Sequence, residues 1–196
     1  VRNLSVKNDS PHSIDAEVLF YFEPVLTQSL VEERHPAFSE LFISGHFDSS
    51  VNTLSLSRKA RTEDEKVASI SVTLLNNDLE EQLFEFETVR FNILDSKSGM
   101  SSFLNAFDIV MNRDISKDII PISPCICLRT QISLRPFEAS SVALVMAAGK
   151  SEDISVKKLL RLKKSTLKHH SLEGVNFNYL SSNIFLQDKP NALKKS

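Results

Sequence analysis

Acid catalysis by a carboxylate pair needs two acids facing each other across a cleft. This chain carries its acids singly or in short runs, and Glu63-Asp64-Glu65 and Glu80-Glu81 read as solvated loops. Serines are plentiful and histidines number five, yet no Gly-x-Ser-x-Gly elbow is present. A Ser-His-Asp triad is recognised by geometry rather than by spacing, so none is assigned. The four glycines, Gly45, Gly99, Gly149 and Gly174, are too dispersed to cradle a phosphate, which removes P-loop and Rossmann chemistry. Cys125 and Cys127 are the only cysteines. On a strand, residues i and i+2 share a face, where they are poorly placed for a disulfide. No His or Cys follows at metal-finger spacing, so they are expected as two small buried hydrophobes in a reducing compartment.

Charged and aromatic residues narrow the partners. Formal net charge is −2, which gives no bulk attraction to nucleic acid or membranes. Lys157, Lys158, Arg161, Lys163, Lys164 and Lys168 form a basic run without acids, expected as the wet face of an amphipathic helix. Arg58 and Arg61 are expected in surface salt bridges. With no Trp, two Tyr and 13 Phe, the chain lacks the rings that usually stack on sugars, and its Phe residues read as core. No apolar run approaches the ~20 residues of a membrane helix.

Period-two alternation positions these residues through about residue 149. Strands are expected at 2–7, 14–26, 41–47, 52–57, 66–75, 83–91, 125–134 and 141–148. Arg135-Pro136-Phe137-Glu138 connects the last two as a hairpin. Turn signals every 8 to 15 residues point to a sandwich or barrel. Residues 96–123 read as loop with a short helix at 102–107. From Ser155 the period becomes 3.6. Val156, Leu159, Leu160 and Leu167 share one helical face, and Phe177, Leu180, Ile184 and Phe185 share another. Ser155 and Ser171 suit helix caps, while Gly174 weakens the second helix.

One run ties the pattern to a family. Ile14 to Leu26 leads through a polar loop into His35-Pro36-Ala37-Phe38-Ser39-Glu40-Leu41-Phe42. This resembles the N-terminal β-sandwich of glycoside hydrolase family 94, where an "EVxSYxEVxL" strand precedes "HPAFSxLF". The nearest likeness is to 1,2-β-oligoglucan phosphorylases and the phosphorylase-like end of cyclic β-1,2-glucan synthases. Pro124, Leu128, Arg129, Leu134, Pro136, Val142, Val145, Ser151 and Glu152 are similar to the ending of that sandwich. His169-His170-Ser171-Leu172 and Leu180-Ser181-Ser182-Asn183 are similar to a helical linker. Phe91 to Ser96 depart from the family's "FLGRxR", and Ser123 stands where the family has aspartate.

The resemblance implies a mainly β fold, an antiparallel β-supersandwich over 1–150 with a C-terminal α-helical linker over 151–196. Its opening in mid-strand, without an initiator Met or an apolar h-region, suggests a fragment whose earlier strands are missing. His35, Pro36, Phe38, Ser39, Leu41 and Phe42 form the structural motif. His35 is held extended by Pro36, with Phe38, Leu41 and Phe42 inserted into the core. In the family, the catalytic acid and phosphate site belong to an (α/α)6 domain, so no catalytic residue, metal or cofactor is carried over. Inorganic phosphate is co-substrate of the parent enzyme, an inverting phosphorylase in which phosphate itself attacks the anomeric carbon. Implied partners are that catalytic domain, a β-glucan substrate and a second copy in a homodimer, in a bacterial cytoplasm. The competing reading is a stand-alone carbohydrate-binding or protein-interaction sandwich.

Overall fold

A computed structural model describes residues 1–76, 80–94, 109–112, 119–168 and 183–188. The expected strands form as β1 (Arg2–Lys7), β2 (Ile14–Phe22), β3 (Ile43–Asp48), β4 (Thr53–Arg58), β5 (Ser69–Leu75), β6 (Glu85–Val89), β7 (Pro124–Leu134) and β8 (Ala139–Gly149). Every strand pair is antiparallel. One sheet runs β1-β8-β5-β4-β3. The other runs β6-β7-β2-β9, where β9 is Asn183–Asp188. β9 corrects the sequence reading, since Ile184 and Phe185 lie in a strand rather than on a helical face. Phe177, Leu180, Ser171, Gly174 and the expected helix at 102–107 lie outside the described residues.

Alternation explains why two layers close on each other. Val18, Phe20, Leu54, Leu56, Val72, Leu74, Phe86, Ile126, Leu128 and Leu144 are buried in one cluster fed by both sheets. Phe86 is fully buried, against Phe47 at 4.8 Å between ring centroids. The outer face of the second sheet has its own small core, where Cys125 and Cys127 pack with Leu19, Tyr21, Ile93 and Met111. Both cysteines are buried and free, as their spacing suggests. Burial pushes both thiols well above the usual thiol range.

The outer face of the first sheet, polar along β4 and most of β5 and apolar along β8, is covered by α4 (Glu152–Lys168). Between Leu54 and Leu56 on β4, and between Ile70, Val72 and Leu74 on β5, alternation turns serines toward that helix. Ser55 Oγ meets Ser71 Oγ at 2.8 Å, and Ser57 Oγ meets Ser69 Oγ at 2.7 Å. Ser155 of α4 joins this bed, 2.7 Å from Ser71 Oγ and 3.1 Å from Ser69 Oγ. Ser155 is therefore a fully buried contact within the first turns, not the cap it resembles in sequence. Leu159, also fully buried, packs against Leu75, Ala143, Val145 and Ala147. Lys163 departs from the expected wet face. It is 8% exposed, pairs with Glu81 and donates to the Val51 carbonyl at 3.3 Å. Lys157, Lys158, Arg161 and Lys164 remain exposed. Gly149 makes the close approach possible, because a Cβ there would stand 2.7 Å from the Ser155 nitrogen.

Candidate functional site

The motif at 35–42 builds one end of the sandwich. Pro36 cannot donate a backbone N–H and has a fixed φ, which suits the first position of a helix. It starts the single-turn helix α2 (Pro36–Glu40), preceded by α1 (Ser29–Arg34). His35 takes the cap position at φ −145°, and its carbonyl accepts from the Ser39 nitrogen at 3.0 Å. A helical turn places residues on all sides, so the expected insertion into the core does not occur. Phe38 is 47% exposed, Leu41 is 68% exposed and Phe42 is half-buried. Ser39 is the member that turns inward, and its buried Oγ has no hydrogen-bond partner among the described residues.

Arginines fasten this turn to the sheet. Arg58 ends β4 on the core-facing side and is buried, which corrects its expected place on the surface. Its Nη1 donates to the Ser39 carbonyl, and its Nη2 lies 3.1 Å from Glu65 Oε1. Arg61 Nε lies 3.3 Å from Glu65 Oε2, and its backbone N–H donates to the same oxygen at 2.6 Å. These donors, the Arg61 N–H foremost, hold the Glu65 carboxyl below its ordinary value against the opposing effect of desolvation. Glu65 is thus a structural acid and not part of a solvated loop. The guanidinium of Arg61 also stacks 5.3 Å from the Phe38 ring and 5.6 Å from Phe42, and that of Arg58 stacks 5.3 Å from Phe42. The two rings meet edge to face at 5.3 Å.

A chain of polar contacts joins this turn to neighbouring segments. Ser123 Oγ donates to Glu40 Oε2 at 3.1 Å, and the Ser123 carbonyl accepts from the Arg90 nitrogen at 2.9 Å. Arg90 opens the short helix α3 (Arg90–Ile93) and lies 3.3 Å from Glu23 Oε1. That oxygen accepts from the Tyr21 hydroxyl at 2.5 Å, and burial pushes the Tyr21 pKa upward. Ser123, where the resembling family has aspartate, sits in the left-handed region at φ 50°, a conformation better suited to Asp or Asn. Val25, Phe38, Leu41, Phe91 and Ile122 are all exposed on these linked segments. Phe91 and Phe137, at 58% and 66% exposure, also depart from the expected all-core role of Phe. A small cavity of about 70 Å³ lies behind the turn, lined by Pro24, Val25, Ser39, Glu40, Arg58 and Pro124 among others.

The larger cleft, about 520 Å³, lies at the opposite end beside Glu17, Glu81, Glu85, Arg129, Gln131 and Phe84. Its acids are engaged. Arg129 Nε donates to Glu85 Oε2 at 2.9 Å, Gln131 Nε2 donates to Glu17 Oε1 at 3.0 Å, and Glu81 pairs with Lys163. This is ion-pair structure rather than an acid poised across from a reacting bond. Among the described residues, no group of three or more His, Cys, Asp or Glu could hold a metal ion. No helix there is long and apolar enough to cross a membrane.

Against this architecture, the family model for the glycosyl hydrolase 94 supersandwich domain matches residues 1–165. The chain belongs to glycosyl hydrolase family 94. No curated protein matches it. Within the family this region is the supersandwich, a non-catalytic domain, in keeping with the ion-paired acids of the large cleft. The matched span takes in both sheets through β8 and most of α4, while β9 lies beyond it. Sequence reasoning reached the motif at 35–42 but placed its rings on the wrong side. Pro36 does not separate the two outcomes, because it suits a helix start as readily as it holds the residue before it extended.

Proposed function

We propose that this supersandwich serves a β-glucan phosphorylase of the 1,2-β-oligoglucan type, packing by its motif end against an (α/α)6 catalytic domain. The observation that carries this reading is the exposure of Phe38 and Leu41, with Val25, Phe91 and Ile122 on linked segments. Apolar side chains gathered at one end of a domain and rimmed by charged residues suit a protein interface. Arg58, buried, and Glu65, half-buried, pair behind the turn and fix its shape. A rigid apolar end is a better support for a neighbouring domain than for a soluble sugar, which would need stacked rings and unengaged polar groups.

In this reading, the catalytic acid and the binding site for inorganic phosphate lie in the neighbouring domain. The supersandwich shapes the rim of the cleft and supports dimer contacts, in a bacterial cytoplasm. The coding sequence downstream of residue 196 tests it. A helix-rich continuation of barrel length with an acid at a barrel opening is the expected result. A stop codon directly after residue 196 would overturn the reading in favour of a stand-alone module.

A further inference from the structure

Past Asp15 and Glu17, the strand β2 does not have the composition of a sheet edge. Exposed edges in natural sheets carry charges, Pro or bulges that discourage further pairing. β2 reads Ile-Asp-Ala-Glu-Val-Leu-Phe-Tyr-Phe, and Ala16 to Tyr21 are all buried. Val18 and Phe20 enter the main core, while Leu19 and Tyr21 enter the smaller core on the opposite face. One edge of β2 pairs with β7 along its whole length, from Ile14↔Leu134 to Phe22↔Ile126. The other edge pairs with β9, from Ala16↔Asp188 to Tyr21↔Asn183.

β9 itself is a different kind of strand. It is six residues long and, among the described residues, pairs only with β2 at the end of its sheet. It also lies outside the span shared with the family. A short strand held along one edge is a low-stability element, whereas β2 keeps its partner β7 whether or not β9 is present. The persistent part is therefore the β2 edge, and the removable part is its occupant.

We propose that the edge of β2 opposite β7 is a strand-acceptor site for an extended apolar peptide, filled here by the chain's own Asn183–Asp188 as an exchangeable insert. Recognition would follow the register of β9. Backbone hydrogen bonds along Ala16–Tyr21 supply affinity, and the two faces of β2, Val18 and Phe20 on one and Leu19 and Tyr21 on the other, supply selectivity. Two copies of the chain would then be able to exchange this strand.

The test uses the full chain carrying Phe185→Pro and Gln187→Pro, opposite Leu19 and Glu17, which removes backbone donors that β9 turns toward β2 while leaving β2 intact. A labelled peptide of residues 183–188 is titrated into it, with amide exchange followed along Ala16–Tyr21. The double variant is expected to lose protection there, bind the peptide saturably at one per chain and regain protection on binding. The unsubstituted chain is expected to bind at least about ten-fold more weakly, because its site is already occupied. Absence of binding, equal binding by both chains, or unchanged protection in the double variant would overturn the proposal. Where the double variant does not fold alone, refolding with the peptide is expected to restore the β-sheet signal, and failure to restore it is equally contrary.

Discussion

Gly149 is where α4 is pressed closest to the sheet, so Gly149→Ala asks how firmly that contact is held. An added Cβ would stand 2.7 Å from the Ser155 nitrogen and 2.9 Å from Ile154 Cγ2. The first of these is backbone, which cannot rotate away. The helix start must therefore lift, and lifting it stretches the contacts of Ser155 with Ser69 at 3.1 Å and Ser71 at 2.7 Å. Each hydrogen bond is worth about 0.5–1.5 kcal/mol net. Overpacking of this kind costs about 1–3 kcal/mol. Alanine also restricts the unfolded chain, which favours folding by about 0.4–1 kcal/mol. The expected balance is a loss of about 1–2 kcal/mol. Urea denaturation should show a lower midpoint at unchanged slope, with faster amide exchange across residues 152–168. Gly45→Ala is the comparison, because its Cβ would meet the side-chain atoms Leu56 Cδ2 at 3.0 Å and Ile119 Cβ at 3.4 Å. It should cost less and leave α4 untouched. A Gly149→Ala chain as stable as the parent, with unaltered exchange in α4, would refute the reasoning.

Phe38→Ala should cost about 1 kcal/mol or less, whereas Phe86→Ala should cost about 3–5 kcal/mol, and chemical denaturation of the two variants ranks them directly. Glu65 has a folded-state pKa below its ordinary value of 4.5, so its contribution is present above pH 4.5 and is lost as pH falls through the lower folded value. Stability measured from pH 6 downward should therefore drop less steeply in Glu65→Gln than in the parent chain. Cys125 and Cys127 should resist a thiol reagent at pH 8 in the native protein and react fully once it is unfolded, since burial disfavours both thiolates.

Much of the sandwich was legible because alternation and burial coincide. Leu54, Leu56, Ile70, Val72 and Leu74 read as one face and pack as one face. The serines between them alternate to the opposite face and lie under α4, because a sheet face can be covered by a polar helix underside as well as left wet. Ser155 and Lys163 belong to that underside, and their polarity hid their burial. β9 was missed for another reason. Asn183 to Asp188 carries helix-compatible spacing at Ile184 and Phe185, and pairing with β2, remote in sequence, makes it a strand. At the motif, residue types were read correctly and direction was not. Pro36 supports either an extended His35 or a helix start, and the Arg58–Ser39 contact that favours the turn joins residues far apart in the chain.

The central claim is that this supersandwich is not itself catalytic. Purified chain incubated with inorganic phosphate and β-1,2-glucooligosaccharides, followed by assay for sugar 1-phosphate, tests it most directly. The account predicts no release above the enzyme-free background. Release that scales with protein concentration and disappears on substitution of an acid in the large cleft, such as Glu85→Gln, would contradict it.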